Sequence, residues 1–347
     1  MKNPFKETLA YLAADIERFD QEILLALAPQ KPYLTEVEYD IYTKGKRLRP
    51  IILLLAARLG GNCPVEEELP IRVIKAATSL EMLHVATLIH DDIIDKAPKR
   101  RGSLSVNEAR GSDIALLVGD MQFVNAVRCF ASAIETQEDM HLVQTVLDVG
   151  FKICCGELDE IMTDPNWSTE RLKHRYIRTI DRKTAILIEL ACESGATLMK
   201  SRKRAIWKLG RYGRLLGRAF QMMDDLRDFT ESEDESGKVR GIDLMMRRPT
   251  LPIIYAMEEL GDESRVARII RGEEVSDAEM ELAINDVMFS DGFQKAYKEV
   301  RNTIREALVC LDFFPESKLR RFLEDIANYV VNKGFVSSEV EFDPKSN

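Results

Sequence analysis

The chain has 347 residues, of which 45% are hydrophobic, and it carries a net charge of −9. That length allows one large domain or two small ones, and the acidic excess disfavours binding to a nucleic-acid backbone. No Lys/Arg-rich stripe is evident that would suggest a nucleic-acid partner, and no uninterrupted apolar run approaches the roughly 18 residues needed to span a bilayer.

Helical periodicity runs through almost the whole chain and strand alternation is nearly absent, so the sequence predicts an all-α fold. Helices are predicted over about 5–27, 34–44, 50–59, 69–96, 112–135, 138–163, 168–199, 202–230, 250–260, 263–271, 276–288, 291–311 and 316–332. Loops are expected over about 97–103, 163–168 and 231–249. No Gly-, Pro- or Ser-rich linker interrupts the pattern. We therefore expect one domain over residues 1–347, with a frayed tail from about 334 to 347.

The N-terminal segment and the cysteines both bear on the compartment. The first 20 residues carry acidic residues within an apolar pattern, which is typical of an amphipathic helix rather than a signal peptide. The six cysteines show no CxxC spacing and lie mostly in apolar helical context. Buried, reduced thiols in a cytoplasmic protein are therefore expected.

Two predicted helices are apolar on most faces. One contains IKAATSLEMLHVATLIH, and the other contains IWKLGRYGRLLGRAFQMM. Helices of this kind belong in the centre of a bundle rather than on its surface. Each of them ends in a group of aspartates, so the sequence predicts one core with one cleft.

The two acidic clusters have the same spacing. They consist of Asp91, Asp92 and Asp95, and of Asp224, Asp225 and Asp228. Carboxylates at i and i+4 share one face of a helix. The alternative interpretation of each cluster is a solvated helix end. Carboxylates at the rim of a buried helix, however, raise one another's pKa, and this arrangement costs stability unless cations neutralise it. Oxygen-only ligands favour a hard cation such as Mg²⁺, which completes its shell with water and substrate phosphates.

Basic residues recur near the ends of the predicted helices. They are Lys46, Arg47, Arg49, Arg100, Arg101, Lys183, Lys238, Arg247 and Arg248. Each alone would be interpreted as a surface charge. Arginine binds phosphate oxygens with two donors and lysine acts as a point charge. With two carboxylate clusters, these cations indicate a site for two diphosphate groups.

Several motifs in a fixed order carry a family resemblance. They are GKRLRP at 45–50, EMLHVATLIHDDIID at 81–95, RRG at 100–102, LLVGD at 116–120, KTA at 183–185, GRAFQMMDDLRD at 217–228, and GKVRGIDL from 237 followed by TLP up to 252. On these motifs the chain resembles the trans-isoprenyl diphosphate synthases, or polyprenyl synthetases, over roughly residues 30–260. Class I terpene cyclases also carry the first aspartate motif, but their second metal motif is not found here.

The resemblance implies a large helical bundle around a central cavity, about three Mg²⁺ ions per active site, and a homodimer. It implies isopentenyl diphosphate and an allylic diphosphate as substrates. The implied metal-binding residues are Asp91, Asp92, Asp95, Asp224, Asp225 and Asp228. The implied residues for the allylic diphosphate are Arg100, Lys183, Thr184, Gln221, Lys238 and Arg248. Those for isopentenyl diphosphate are Lys46, Arg49, His84, Arg101 and Phe220. The residues expected to be catalytic are Asp91, Asp92, Asp95, Lys183, Asp224 and Asp225.

Some positions depart from the family pattern. Lys44 stands where glycine is frequent, and Arg247 and Arg248 stand where Gly-Lys is usual. Glu160 stands where glutamine is common. None of these changes removes a metal ligand, but Arg248 preserves the charge of a lysine without its shape.

The implied reaction is a head-to-tail condensation without a covalent enzyme intermediate. Departure of the metal-bound allylic diphosphate leaves a carbocation, the isopentenyl double bond attacks it, and the released diphosphate takes the proton. Ala86 and Thr87, one turn before Asp91, are small where the family's short-chain enzymes have aromatic residues. We therefore expect an all-trans product of C20 or longer, with roughly C30–C40 favoured. Close helix packing is the alternative reason for two small residues.

Three other interpretations remain open at this point. The enzyme could make farnesyl or geranylgeranyl diphosphate if a deeper helix supplied blocking residues. The chain could be a non-catalytic subunit of a heteromeric synthase, although such subunits typically lose acidic clusters that are whole here. A purely structural helical protein would not need six clustered rim carboxylates.

Overall fold

The computed structural model describes residues 4–100, 102–230 and 240–333, and in these ranges the chain is almost entirely α-helical. The first eight helices are α1 (Pro4–Tyr11), α2 (Ala13–Leu27), α3 (Glu36–Thr43), α4 (Leu48–Gly61), α5 (Ile71–Ile94), α6 (Val106–Arg110), α7 (Ser112–Ala131) and α8 (His141–Ile161). The next are α9 (Thr169–Ile180), α10 (Ile186–Leu198) and α11 (Lys203–Thr230). The last are α12 (Ile242–Met245), α13 (Leu251–Leu260), α14 (Arg265–Ile270), α15 (Asp277–Met288), α16 (Asp291–Leu311) and α17 (Lys318–Lys333). The predicted all-α fold is confirmed.

Local sequence explains where many helices begin. Ser105, Ser168, Ser264, Ser276 and Ser290 each accept a hydrogen bond from a backbone N–H in the first turn of the helix that follows. A serine side chain at this position satisfies a donor that has no partner within the helix. These caps place helix starts within two residues of the predicted boundaries, except at α6, which the sequence analysis missed.

Helices α4 and α5 form the centre of the bundle. Every residue from Ile51 to Ala57 is fully buried, and α5 packs against α7, α4, α10 and α2. Buried apolar side chains form one continuous core from Leu12 to Val330. This supports a single domain, which stays a prediction, and the predicted tail at 334–347 lies outside the described residues.

The expectation for α11 was wrong in one respect. Its buried face, which includes Leu209 and Tyr212, packs on α10 and α16, but Trp207 is 53% exposed and Arg211 and Arg214 are also exposed. Lysine and arginine recur on that outer face every three or four residues, which makes α11 amphipathic. The chain therefore does carry a basic stripe, contrary to the sequence analysis.

Two further expectations need adjustment. All six cysteines are free, but only four are buried, while Cys154 is exposed and Cys155 is half-buried. Among the described helices, α7 alone is long and apolar enough to cross a membrane, and 44% of its apolar window is buried within the protein. A core helix of a soluble protein meets the same criteria, so this is weak evidence for a span.

Candidate active site

The first aspartate cluster lies at the carboxyl end of α5. Asp92 is only 1% exposed and accepts hydrogen bonds from Arg100, whose Nε lies 2.9 Å from Asp92 Oδ1. A two-residue hairpin, β1 (Lys99–Arg100) and β2 (Ser103–Leu104), folds the chain back so that Arg100 reaches this carboxylate. The negative end of the helix dipole disfavours carboxylates there, so the cluster needs cations.

Burial and charge shift the pKa of Asp91 upward. Desolvation by burial raises the pKa of Asp91 to about 7, and Lys183 and Arg100 offset part of this effect. Glu157 and Asp95 repel a charge on Asp91 and raise the pKa further. The positive charge near the carboxylates of this region is therefore too small to balance their negative charge.

The second cluster lies on α11 and is held by hydrogen bonds. Asp225 is 6% exposed, and its Oδ2 accepts a hydrogen bond of 2.5 Å from the Tyr176 hydroxyl. Gln221 Nε2 donates to Asp225 Oδ1 at 2.9 Å, and the Thr184 hydroxyl donates to Gln221 Oε1 at 2.9 Å. Asp224, by contrast, is exposed. The predicted residues Thr184, Gln221 and Asp225 thus form one network.

A further carboxylate joins the second cluster. The backbone N–H of Asp243, on α12, donates to Asp228 Oδ2 at 3.0 Å. Burial raises the pKa of the Asp243 carboxyl well above its ordinary value, and the charges of Asp225 and Asp228 raise it further. Burial likewise raises the pKa of Asp225 to about 7. Both clusters therefore favour added cations.

Arg248 and Glu160 lie between the two clusters, and Glu160 acts on Asp225 of the second one. Lys183 Nζ lies 2.6 Å from Glu157 and 3.0 Å from Glu160. Arg248 forms an ion pair with Asp95 of the first cluster, and its Nε lies 3.6 Å from Glu160. The charge of Arg248 also acts on Asp243 beside the second cluster. These contacts bring the two aspartate clusters to the border of a single site, and the predicted roles of their residues stay predictions.

The donor set fits Mg²⁺ that a substrate helps to hold. Among the described residues, no three His, Cys, Asp or Glu side chains converge tightly enough to form a metal site alone. Mg²⁺ is usually bound by one or two carboxylates together with water and substrate phosphates. Half-buried Asp91 and Asp95 and exposed Asp224 all keep accessible surface for this purpose.

A π-helical segment from Asp181 to Ala185 carries Lys183 and Thr184 between α9 and α10. Asp181 pairs with Arg214 and Arg218 of α11, and Arg182 pairs with Asp159 of α8.

A Cβ on Gly156 would lie 2.8 Å from the backbone nitrogen of Lys183. Glycine here lets α8 approach the segment closely. These contacts fix a local irregularity of the kind often found at functional sites.

The predicted residues for isopentenyl diphosphate are less fully described. Lys46 just before α4, Arg49 in the first turn of α4 and His84 on α5 are half-buried. Arg47, which lies between Lys46 and Arg49 in the sequence, pairs with Asp20 and lies over the Phe19 ring. It is not among the residues predicted to bind isopentenyl diphosphate. Phe220 is half-buried and packs against the core beside Gln221. Arg101 and Lys238 lie outside the described residues.

The two predicted chain-length residues differ in accessibility. Ala86 is fully buried, whereas Thr87 is half-exposed and donates its hydroxyl hydrogen to the His84 carbonyl at 2.7 Å. Of the two, only Thr87 therefore has accessible surface in this structure. Both assignments stay predictions.

Known proteins resemble this chain over nearly its whole length. The profile of the polyprenyl synthetase family matches residues 31–287. The chain belongs to the polyprenyl synthetase family. The predicted family is thereby confirmed, and so is the coarser prediction of a prenyltransferase.

Individual members support the same placement. Heptaprenyl diphosphate synthase component 2 of Geobacillus stearothermophilus is 30% identical over 331 residues, which cover 95% of this chain and 99% of that protein. A decaprenyl diphosphate synthase from Rhodobacter capsulatus is 29% identical, with a TM-score of 0.84 and coverage of 95% and 99%. A Caulobacter crescentus polyprenyl synthase, solved with calcium and isoprenyl diphosphate, is 27% identical, with a TM-score of 0.83 and coverage of 95% and 98%.

Sequence reasoning missed four members of this polyprenyl synthetase site. Glu157 and Glu160 hold Lys183, Tyr176 holds Asp225, and Asp243 adjoins Asp228. Asp243 stands within the quoted GKVRGIDL motif and Glu160 was noted as a departure, so both had a signal. Tyr176 had none, because its role depends on α9 packing beside α11.

Replacing Tyr176 by phenylalanine should lower kcat or Mg²⁺ affinity about 10- to 100-fold, because residues that orient ligand carboxylates typically contribute that much. The measurement is a Mg²⁺ titration of turnover at constant pH. Tyr297→Phe, which removes the hydroxyl that donates to the Val331 carbonyl, is the matched control and should titrate like the parent. Unchanged Mg²⁺ dependence of Tyr176→Phe would contradict this role.

Proposed function

We propose that this protein is a Mg²⁺-dependent trans-prenyltransferase that adds isopentenyl diphosphate head to tail to an allylic diphosphate. The observation that carries the proposal is the site that the two aspartate clusters border: Lys183 acts on Asp91, and Arg248 pairs with Asp95 and also acts on Asp243 beside the second cluster. Carboxylates that need cations, next to cations that suit phosphate oxygens, describe a site for a metal-bound diphosphate. The family membership supports the reaction class.

The metal ions, about three per site, would be held by Asp91 and Asp95 on one side and by Asp224 on the other. Asp92, Asp225 and Asp228 would support them directly or through water. The bound metal supplies charge neutralisation that helps the diphosphate to leave. The Caulobacter relative solved with calcium and isoprenyl diphosphate is consistent with such a site.

The protein's own residues bind and orient the substrates. Arg100, Lys183 and Arg248 are proposed to exchange their carboxylate partners for oxygens of the allylic diphosphate. Lys238 is proposed to bind the same diphosphate. These fixed cations then stabilise the charge that develops on the leaving group. Thr184 and Gln221 line the reacting centre.

The second substrate has its own cations. Lys46, Arg49, Arg101 and His84 are proposed to hold isopentenyl diphosphate with its double bond directed at the allylic carbon, and Phe220 packs against its chain. Holding the two substrates in line supplies much of the rate enhancement. The proton lost after bond formation is assigned to the released diphosphate.

The decisive test is turnover of the purified chain alone with labelled isopentenyl diphosphate and several allylic primers. We expect product formation that is abolished by EDTA and restored by Mg²⁺. Inactivity of the correctly folded chain with every primer would refute the proposal and favour a non-catalytic subunit. Sizing the products distinguishes a long-chain enzyme from a farnesyl or geranylgeranyl diphosphate synthase.

We favour an all-trans product of C20 or longer, with roughly C30–C40 preferred, because small residues precede Asp91. The relatives named heptaprenyl and decaprenyl diphosphate synthase support a long product. Blocking residues on a deeper helix would instead give a short product, and the same product sizing decides between them.

We further propose that two copies of the chain pair through α7 and α8. Leu117 is 66% exposed and Phe151 is 71% exposed, and Leu147, Phe151 and Leu158 follow one face of α8 at helical spacing. Exposed apolar surface of this extent marks an interaction site, and a two-fold axis lets the same face serve both copies. A different subunit is the alternative, since one relative is named component 2 of its synthase.

Phe151→Glu should convert a dimer into a monomer in sedimentation analysis, because a charge at the centre of an apolar interface is costly to desolvate. Phe289→Glu is the matched control and should leave the dimer intact, since Phe289 is exposed just after α15 rather than on α7 or α8. A parent protein that is monomeric on its own would reject the homodimer and favour a second kind of subunit.

A cytoplasmic location is also proposed. Six free thiols, including the exposed Cys154, suit a reducing compartment. Fractionation of cells that produce the protein would test this, and recovery in an oxidising compartment would contradict it.

A further inference from the structure

The outer face of α11 concentrates positive charge in an acidic protein. From Ser194 to Met223 the chain has eight lysines and arginines and no aspartate or glutamate, although its net charge is −9. Arg204, Lys208 and Arg211 follow one side of α11 at helical spacing. The stretch from residue 204 to residue 218 extends about 21 Å along the helix. Segregation of charge on this scale indicates an anionic partner.

Apolar side chains lie among these cations. Trp207 is exposed on α11, and Val309 on α16 and Phe313 in the turn just after α16 are exposed beside it. Arg204 lies over the Phe313 ring at 5.4 Å, and Lys208 and Arg211 lie 5.4 Å and 5.7 Å from the Trp207 ring. We call this surface the basic-aromatic face; it consists of Arg204, Trp207, Lys208, Arg211, Val309 and Phe313.

Acidic neighbours leave most of this charge uncompensated. Arg211 has a distant pairing with Glu306 at 3.9 Å, and Asp312 is engaged by Arg320. Farther along α11, Arg214 and Arg218 are committed to Asp181. The face at the amino-terminal half of α11 therefore remains net positive and lies apart from the residues that bind substrate.

We propose that the basic-aromatic face docks the protein on an anionic lipid bilayer. Lysine and arginine beside tryptophan and other apolar side chains are the composition of interfacial helices, in which cations meet headgroups and rings enter the boundary region. Each basic residue close to an anionic membrane adds to the attraction. The proposal goes beyond the condensation reaction and does not depend on the length of its product.

Other occupants fit the face less well. A second copy of the chain would place arginines and lysines against the same residues across a two-fold axis. A nucleic acid would use the cations and could stack on Trp207, but it gives no role to the aliphatic Val309. A bilayer uses every member of the face.

The test is sedimentation of the full-length protein with vesicles at low ionic strength. We expect binding to phosphatidylcholine vesicles that contain about 30 mol % phosphatidylglycerol, little binding to phosphatidylcholine alone, and release in about 0.5 M NaCl. The triple variant Arg204→Gln, Lys208→Gln, Arg211→Gln should bind about 10- to 100-fold more weakly. Its turnover without vesicles should match the parent.

Two controls make the result specific. The triple variant Arg265→Gln, Arg268→Gln, Arg271→Gln, in α14 and its C-cap, removes the same charge elsewhere and should bind vesicles like the parent. Trp207→Ala keeps every charge and should still lose several-fold affinity, because the ring contributes burial at the interface. Circular dichroism melts check that each variant folds.

Clear outcomes would overturn the proposal. These are no binding of the parent to anionic vesicles, or equal losses in the α11 and α14 variants. Undiminished binding by Trp207→Ala would reduce the contact to unspecific charge attraction and also reject it. Tight binding to single-stranded DNA or to polyglutamate in place of vesicles would assign the face to an acidic macromolecule.

Discussion

Replacing Asp91 by asparagine should lower kcat by about 10³-fold or more while leaving the fold intact, because loss of one preorganised charge contact at a reacting phosphate has an effect of this size. Asp91 lies at the end of buried α5, next to Lys183 and Arg100, whose charges act on its carboxyl. Asparagine retains the shape but not the charge. Single-turnover product formation at saturating Mg²⁺ measures the effect on chemistry.

The same substitution should stabilise the metal-free protein at pH 8. The pKa of Asp91 is raised to about 7 in the folded protein, so the folded state holds its proton more tightly than the unfolded chain does. Folding stability from this group is present at low pH and is lost as pH rises from about 4 to 7. The full difference corresponds to about 4 kcal/mol, which is an upper limit.

Thermal unfolding at two pH values tests this reasoning. Asp91→Asn should melt higher than the parent at pH 8 in EDTA, and the gain should vanish near pH 4 because the parent carboxyl is then protonated. Asp113→Asn, at an exposed position of α7, is the matched control and should change neither activity nor melting. A variant that keeps parental turnover would remove Asp91 from the catalytic site, and a lower Tm at pH 8 would contradict the raised pKa.

Periodicity predicted the helices well because most of them bury one face. The apolar stretch before Asp91 and the serine caps fix α5, α15 and α16 and the start of α9 within two or three residues, whereas α9 and α10 were predicted as one helix over 168–199. The short elements were not predicted, because a hydrophobic period cannot be recognised over so few residues. They are α6, α12 and the hairpin at Lys99–Leu104. The π-helical segment at Asp181–Ala185 was predicted as ordinary helix, because only its contacts with Gly156, Arg214 and Arg218 define it.

The site was predictable as a set of motifs but not as a geometry. Spacing places Asp91 and Asp95 on one helix face, yet nothing in the sequence joins Asp95 to Arg248, 153 residues later. The aspartate clusters share a site because α5 and α11 both lie against α10, which is a property of tertiary packing. Glu160 illustrates the limit most clearly. As a sequence position it is a departure from a family pattern, whereas in the structure it lies between Lys183 and Arg248.

The average composition of α11 led to the wrong prediction that this helix is buried on most faces. A search for apolar residues finds a central helix there, since its buried face is rich in leucine, glycine and alanine. The arginines and lysines are numerous but fall on one side, so an average over the segment hides them. Cys154 shows the same effect on α8, where an apolar neighbourhood predicted burial and the structure exposes the thiol. The exposed basic face of α11 and the exposed apolar face of α8 each indicate contact with a partner outside the chain.

A substitution at Thr87 is expected to change the length of the product. Thr87→Phe should shift the products to about C20 or shorter while the first condensation proceeds near the parental rate, because the added ring fills the space one turn below Asp91. Thr87 is the accessible member of the pair, and Ala86 is enclosed by helix packing. Ala86→Phe should therefore act differently, costing about 1–3 kcal/mol of stability through overpacking.

Chromatographic sizing of labelled products, with stability measured in parallel, separates these two effects. Thr87→Val, which keeps the volume and removes only the hydroxyl, is the matched control and should give the parental product range. If Thr87→Phe folds, turns over and makes products of unchanged length, the channel does not pass Thr87. If instead Ala86→Phe alone shortens the product without loss of stability, α5 must present Ala86 to the growing chain, and the packing seen here would have to open during elongation.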